Sequence, residues 1–177
     1  PARDPETDMG QGSVQSRVSS LPVRSLETTG RGETGRPYSI RTASYEPSSN
    51  WALRSLRRLR QDGEMAFLSP VVVRGRTLER LLIGSFASGD AAHSYARQLQ
   101  QEGKIEDFSV LRLPYTVQLQ TFSDRDQVQI AVGNSPGDGV FSYTQALGDN
   151  SYRLAIGAFA TGDGAALAFR AGAELAG

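Results

Sequence analysis

One eight-residue pattern occurs four times along the chain, and it limits the possible folds more than any other feature of the sequence. Each copy alternates apolar and polar residues and ends on an aromatic residue, which is typical of a half-buried β-strand. The copies span 38–45, 79–86, 115–122 and 152–159, so their last residues lie 41, 36 and 37 positions apart. A period of this length predicts that the chain repeats one supersecondary unit.

A helix, a glycine and a second strand follow each of the first two copies. The predicted helices are 51–61 and a segment after Ser88-Gly89-Asp90, and the predicted second strands are 66–73 and 108–113. Because one β-α-β unit cannot cover its own sheet, the copies should work in pairs. The first pair predicts an α+β fold of the ferredoxin/RRM-like β-α-β-β-α-β type, with an antiparallel four-stranded sheet and both helices on one face.

The last two copies predict the same unit without its last strand. The segment around Val128, Ile130 and Val132 fits a short helix and a strand equally well, and 140–147 reads as a strand. Pro114 separates a first module at 37–113 from a second at 114–177, where Gly177 would end a helix. The strand that would follow Gly177 is absent from the sequence, and because the sequence starts at Pro1 and not at Met, we expect either that a leader was removed or that this is a fragment.

Residues 1–36 are polar and carry few apolar side chains. Such a segment buries too little surface to offset its ordering entropy, so it is predicted to be an extended or disordered linker. An alternative hypothesis is that it lies along a partner or a neighbouring copy of the chain.

Composition excludes several classes of function. The chain has 19 basic and 19 acidic residues, and zero net charge argues against a general polyanion binder. It has no cysteine, which excludes disulfides and thiolate chemistry and is compatible with any compartment. No apolar run approaches the roughly 20 residues of a membrane helix. No phosphate loop, H-E-x-x-H motif or nucleophile elbow occurs, so we expect no enzyme, no cofactor and no metal site, and we expect the lone His93 at the surface.

Two short motifs carry a resemblance to a known family. Ile83-Gly-Ser-Phe86, followed by Ala92-His-Ser-Tyr-Ala-Arg-Gln-Leu99, resembles the signature of the SPOR (sporulation-related repeat) domains of bacterial cell envelopes. Tyr115–Phe122 and Ile156-Gly-Ala-Phe159 are similar, so the resemblance covers 37–113 well and 114–177 partly. It implies a periplasmic, non-enzymatic module that binds peptidoglycan glycan strands stripped of their stem peptides.

The resemblance also implies where glycan would bind. Glycan-binding members carry Gln at the fourth position of the strand and Ser at the seventh. Strand alternation turns the second, fourth and sixth positions away from the helices, and sugar binding needs that face to be open. Trp51, at a predicted helix start, would stack on a sugar ring or serve as a core residue, and Gln118 has the alternative of a solvated strand residue. The candidate glycan-binding residues are Gln118, Gln120, Thr121, Ser44, Ser85, Arg41 (at the Gln position of the first copy) and Trp51.

Two other functions remain open. If its modules contact proteins and not glycan, the chain would be a structural subunit of an envelope ring or filament. It would then form a homo-oligomer or part of a larger assembly. An open sheet edge would favour this by accepting a strand from another chain. RNA binding shares the topology but ranks lower, because the aromatic RNA-contact run is absent and the net charge is zero. The arginines at 54, 57, 58 and 60 would meet phosphate or an acidic partner, although a solvated helix face is the favoured interpretation.

Overall fold

Strands and helices follow the order that the repeat predicts. The structure, a computed structural model, describes residues 36–135, 139–148 and 150–167. The predicted linker, apart from Arg36, and the predicted helix end at Gly177 therefore lie outside the described residues. The elements are β1 (Tyr38–Tyr45), α1 (Asn50–Gln61), β2 (Ala66–Val73), β3 (Arg76–Phe86), α2 (Gly89–Gln101), β4 (Ser109–Arg112), β5 (Tyr115–Phe122), α3 (Arg125–Gly133), β6 (Ser142–Gly148) and β7 (Ser151–Phe159). Residues 162–167 are also helical.

The first sheet has the order β2-β3-β1-β4 with every neighbouring pair antiparallel. Both α1 and α2 pack on one face of it, which confirms the predicted fold class. Ser49 and Ser88 cap the helix N-termini with their hydroxyl groups, and Gly63 and Gly103 follow the C-termini with φ of +84° and +71°. The buried residues of this core are Ile40, Ala52, Leu56, Leu59, Ala66, Leu68, Leu81, Ile83, Ala92, Ala96, Leu99 and Ile105.

The second sheet has the order β5-β7-β6 among the described strands. The segment that fits a helix and a strand equally well in the sequence is the helix α3. Asp124 accepts a hydrogen bond from the Asp126 amide at its start, and Val128 is fully buried. The strand interpretation is wrong. A strand would bury Val128 and Ile130 on the same face, whereas the helix buries Val128 and leaves Ile130 66% exposed.

A β-bulge explains why the Gly-x-Phe motif ends the repeated strand. Gly84 has φ of +68°, and a Cβ there would lie 2.5 Å from the ring of Phe86. Tyr38 faces Phe86 and Ile40 faces Ile83, so two steps along β1 match three along β3. The extra residue returns Phe86 to the helix side, where it packs against the core. Gly157, with φ of +61°, stands in the same relation to Phe159.

The two sheets pack against each other through the faces that carry no helices. Phe67 and Leu82 form one buried cluster with Tyr143, Ala155 and Ala158. The rings of Phe67 and Tyr143 stack with centroids 4.0 Å apart. Phe67 pairs with Leu82 in the first sheet, and Tyr143 pairs with Ala155 in the second. The two pairs occupy equivalent positions in the first unit (37–113) and the second unit (from 114 on) and pack on each other, so the units are related by a pseudo-two-fold axis. The expectation that this face is open is therefore wrong for its centre.

Polar contacts at this interface follow the same pseudo-symmetry. The Ser69 hydroxyl donates to the Ala158 carbonyl (2.9 Å) and accepts from the Ala158 amide (3.0 Å). In the equivalent place, the Gln145 side-chain amide donates to the Ser85 hydroxyl (3.1 Å). Because Ser69 and Ser85 are buried, these bonds satisfy polar groups that water cannot reach.

Arg60 links α1 to the second sheet. Its Nη2 donates to the carbonyls of Gly139 (2.9 Å) and Ser142 (3.1 Å), and its Nε donates to that of Ala66 (2.8 Å). Beside it, the Leu68 amide donates to the Val140 carbonyl (2.8 Å). One half-buried guanidinium thus satisfies three carbonyl groups where the edge strand β2 meets the second unit.

Glu64 forms a buried polar cluster at the end of the helix layer. Its side chain is 4% exposed and accepts hydrogen bonds from Lys104 (2.8 Å) and Tyr95 (2.6 Å). Burial, followed by the hydrogen bond to Glu64, raises the pKa of Tyr95 to about 12. The hydrogen bonds to Glu64 and Glu102 raise the pKa of Lys104. Both shifts favour the protonated groups in the folded protein.

We predict that Gly84→Ala destabilises the protein more than Gly103→Ala. Both glycines have φ near +70°, where a side chain costs about 1–2 kcal/mol, but only Gly84 faces a ring that a Cβ would strike. We expect a loss of about 1 kcal/mol for Gly103→Ala and about 2–4 kcal/mol for Gly84→Ala in urea denaturation. Equal losses would show that the Phe86 ring moves aside without cost.

We predict that Arg60→Gln loosens the contact between the units, whereas Arg57→Gln, on the exposed face of the same helix, does not. Hydrogen bonds from a charged donor contribute about 1.5–3 kcal/mol, so we expect a loss of that order in the free energy of unfolding. Native-state hydrogen exchange should show faster exchange at the Leu68 amide. Unchanged exchange there in Arg60→Gln would contradict the role of Arg60 as a link.

We predict that stability falls between pH 10 and about pH 12. An unfolded tyrosine ionises near pH 10, so above that pH the unfolded state releases a proton that folded Tyr95 retains until about pH 12. The stabilisation from Lys104 is likewise complete below its ordinary pKa and is lost as the pH rises through the raised value.

Tyrosinate absorbance and denaturation at each pH measure this effect. In Tyr95→Phe one group titrating near pH 12 should disappear and the loss of stability should become shallower, while Tyr143, whose pKa burial also raises, still titrates late. The same pH dependence in the variant and the wild type would contradict the assignment.

Candidate functional site

Bulges place the fourth and seventh residues of the repeated strand on one face of the sheet. Residues three apart on a regular strand point to opposite faces. In β1, however, a register shift follows Arg41, so that Arg41 faces Leu82 and Ser44 faces Arg80. Cross-strand partners share a face, so all four lie on the face without helices. The spacing that the family resemblance implies therefore has a geometric basis.

The same bulge in β5 brings Gln118 and Thr121 together. Gln118 faces Ala155 and Thr121 faces Arg153, and the Gln118 Nε2 donates to the Thr121 hydroxyl at 3.2 Å. The Gln118 Oε1 is buried and has no hydrogen-bond partner among the described residues. The Thr121 side chain is exposed, so this pair offers a hydroxyl and an amide at the end of the sheet face.

The bulge moves Gln120 away from Gln118. Gln120 faces Leu154, whose side chain is fully buried on the same side of the sheet as Ile156 and Val117. The expectation that Gln120 shares the face of Gln118 is therefore wrong. Simple alternation produced this error because it takes no account of an inserted residue.

Arg41 and Arg80 form a positively charged pair on the equivalent face of the first sheet. Burial, and then the charge of Arg41, lower the pKa of Arg80. Ser44, which faces Arg80, is exposed and Arg41 is half-buried. Two neighbouring guanidinium groups with a hydroxyl beside them favour a ligand that carries negative charge and hydrogen-bonding oxygens.

Other polar side chains of the two sheet faces are hydrogen-bonded inside the protein. Ser85 is 5% exposed; its hydroxyl donates to the Arg36 carbonyl (2.8 Å) and accepts from Gln145 (3.1 Å). Thr116 is 8% exposed and donates to the Ile156 and Gly157 carbonyls. Both side chains are engaged inside the protein, so a ligand would have to displace these bonds to reach them.

Trp51 lies away from the sheet face, on α1. Its side chain is 68% exposed, so the interpretation as a core residue is wrong. The Arg54 guanidinium lies 4.1 Å from the centre of its ring. His93 is exposed, as expected, and its ring contacts Phe108 edge-on with centroids 5.1 Å apart.

The residues that close the two sheets together were not predictable from the sequence. Ser69 and Gln145 give no sign of which group they meet, and Arg60, for which a solvated helix face was favoured, is instead half-buried and donates to three carbonyls. One signal was present: Leu82 and Phe67 are large apolar residues at positions that alternation assigns to an open face. Such residues indicate that another layer covers the face.

Within the described ranges, no three acidic or histidine side chains come together as metal ligands would. Nor does any helix there have the length and apolar character that crossing a membrane requires.

Comparison with known proteins identifies the family of the first sheet. A family model described as SPOR domain matches residues 34–111, which include β1, α1, β2, β3, α2 and most of β4. Searches of curated proteins and of solved structures returned no match. SPOR domains are peptidoglycan-binding modules of bacterial cell-envelope proteins. Residues 34–111, which hold the β-α-β-β-α-β sheet and the Gly84–Phe86 bulge, thus match the SPOR domain family.

Proposed function

We propose that this chain is a non-enzymatic, periplasmic module that binds peptidoglycan glycan strands at the ends of its sheet faces. The observation that carries the proposal is the shared face of the fourth and seventh strand residues, Arg41 with Ser44 and Gln118 with Thr121. The match of residues 34–111 to the SPOR domain model supports peptidoglycan as the ligand.

The side chains of these pairs suit a denuded glycan strand. The hydroxyl groups of Ser44 and Thr121 and the amide of Gln118 match sugar hydroxyls and N-acetyl groups. Hydrolysis of the stem-peptide amide leaves a free carboxylate on muramic acid. The guanidinium groups of Arg41 and Arg80 would bind this carboxylate, since arginine donates to carboxylates in bidentate geometry. Stripped strands should therefore bind better than strands that keep their peptides.

The packing of the two sheets limits the extent of this site. Leu82 and Ala155, at the fourth position of two copies, are fully buried against the opposite sheet. Ser85 is buried as well, so we place glycan contacts on Arg41, Ser44, Gln118 and Thr121 and leave Ser85 out. Gln120 remains a candidate only for contacts at the edge of the sheet, because its side chain is exposed there.

We predict that the chain pellets with peptidoglycan sacculi, and more strongly after amidase treatment. Arg41→Gln should reduce the gain on stripped sacculi by about tenfold, since a hydrogen-bonded charge contributes about 1.5–3 kcal/mol. Gln118→Ala with Thr121→Val should weaken binding to both forms. Arg97→Gln, an exposed arginine on α2, is the matched control and should bind as the wild type does.

The second candidate function is a structural subunit of an envelope assembly that does not bind glycan. The observation that favours it is the burial of the central sheet face within the chain itself. Failure to pellet with either form of sacculi, by a protein shown to be folded, would reject glycan binding and support this alternative. Envelope proteins or further copies of the chain would then be the partners, and crosslinking in envelope extracts would identify them.

A further inference from the structure

Three apolar side chains of the SPOR unit (residues 34–111) are exposed at one end of the molecule. Trp51 is 68% exposed, Val72 is 63% exposed and Val73 is 40% exposed. The other large apolar residues exposed in the described ranges, Ile130 and Leu167, belong to the second unit. Three exposed apolar residues in one unit call for an explanation, because single exposed apolar residues are ordinary and groups of them mark binding surfaces.

A series of contacts connects the hairpin that carries the valines to the helix that carries the tryptophan. Val73 faces Arg76 across the tip of the β2–β3 hairpin. Arg76 forms an ion pair with Glu46, whose carbonyl accepts from the Ser49 amide (3.3 Å). Ser49 caps α1 and its hydroxyl accepts from the Trp51 amide (3.3 Å). The hairpin tip and the start of α1 are therefore neighbours.

The β2–β3 hairpin closes with a tight two-residue turn. Arg74 and Gly75 both have positive φ, of 50° and 77°, as in the two-residue turns that close tight hairpins. The strands leading to the turn pair residue by residue, without a register shift. Val72 and Val73 are consecutive on this regular ladder, so they point to opposite faces of the hairpin, and both are exposed at its tip.

The same end carries an excess of positive charge. Helix α1 contains four arginines and no acidic residue. Arg58 and Arg60 donate to backbone carbonyls. Arg54 and Arg57 are exposed to solvent. The hairpin adds two more arginines, at 74 and 76. Two acidic residues contact this end: Glu46 is paired with Arg76, and the buried Glu79 accepts a hydrogen bond from the Ser48 backbone.

We propose that this surface, the aromatic–basic end (Trp51, Arg54, Val72, Val73, Arg74 and Arg76), binds an anionic phospholipid bilayer. The indole ring lies at the level of the headgroups, where tryptophan is most favourable, and the arginines contact lipid phosphates. The two valines at the hairpin tip enter the boundary of the acyl chains.

A bilayer matches this surface better than an acidic protein does. An acidic protein would pair with the arginines but would leave the projecting valines in water unless it also carried an apolar pocket. A bilayer offers phosphate groups and hydrocarbon within the same few ångströms of depth. The proposal uses none of the residues assigned to glycan: Trp51 lies on α1, and Arg41 and Ser44 lie on the face of the sheet without helices.

Trp51 is the sole tryptophan of the chain, so its fluorescence reports directly on this surface. The full chain is mixed with vesicles of phosphatidylglycerol and phosphatidylethanolamine, or of phosphatidylcholine alone, in the absence of peptidoglycan. We expect the emission to shift to shorter wavelength and acrylamide quenching to fall with the anionic vesicles, and we expect added salt to reverse both. Vesicle pelleting measures the partition coefficient independently of the fluorescence.

Matched variants separate the apolar and the charged contributions. Val72→Ser with Val73→Ser, and Arg54→Gln with Arg74→Gln, should each lower the partition coefficient by about tenfold or more. Ile130→Ser, a change to another exposed apolar residue, and Arg97→Gln should leave it unchanged.

Three outcomes would overturn the proposal. The first is no response to anionic vesicles, and the second is an equal response to neutral ones. The third is a loss of partition in the Ile130 control as large as in the valine variant. A spectral shift with polyglutamate but not with vesicles would reject the bilayer in favour of an acidic protein.

Discussion

The stacking of Phe67 on Tyr143 determines which surfaces of the molecule face solvent. A four-stranded sheet with helices on one side has a second side, and in this chain the centre of that side is apolar. Apolar side chains on two half-covered sheets are stabilised by about 25 cal/mol for each Å² that they remove from water. Packing one sheet on the other is the arrangement that buries both. The residues that remain exposed for binding therefore lie at the ends of the strands or on the helix layer.

Buried polar groups make this packing specific. Ser69 and Gln145 each reach the opposite unit from equivalent positions and satisfy a partner there. Two apolar faces alone would tolerate sliding, whereas a buried hydroxyl that both donates and accepts at Ala158 fits one register. Arg60 adds a link at the edge, where its guanidinium donates to three carbonyl groups.

Much of the fold was predictable from the sequence, because the repeat specifies it through local chemistry. Alternation fixed the strand at 38–45, and serine caps and glycines fixed the ends of α1 and α2. The candidate site was only partly predictable. Gln120 was misplaced because a bulge inserts one residue, and the closure of the sheets was missed because it joins residues such as Ser69 and Ala158 that lie 89 positions apart. The division into 1–36, 37–113 and 114–177 stays a prediction.

The long separation of the stacked rings has a consequence for synthesis. Every strand of the first sheet is synthesised before β6 and β7, so Phe67 and Leu82 leave the ribosome before the residues that cover them. During that interval the nascent chain exposes apolar residues of the kind that chaperones bind. The pace of translation through the second half therefore determines how long newly made molecules can aggregate with one another before each one closes on itself.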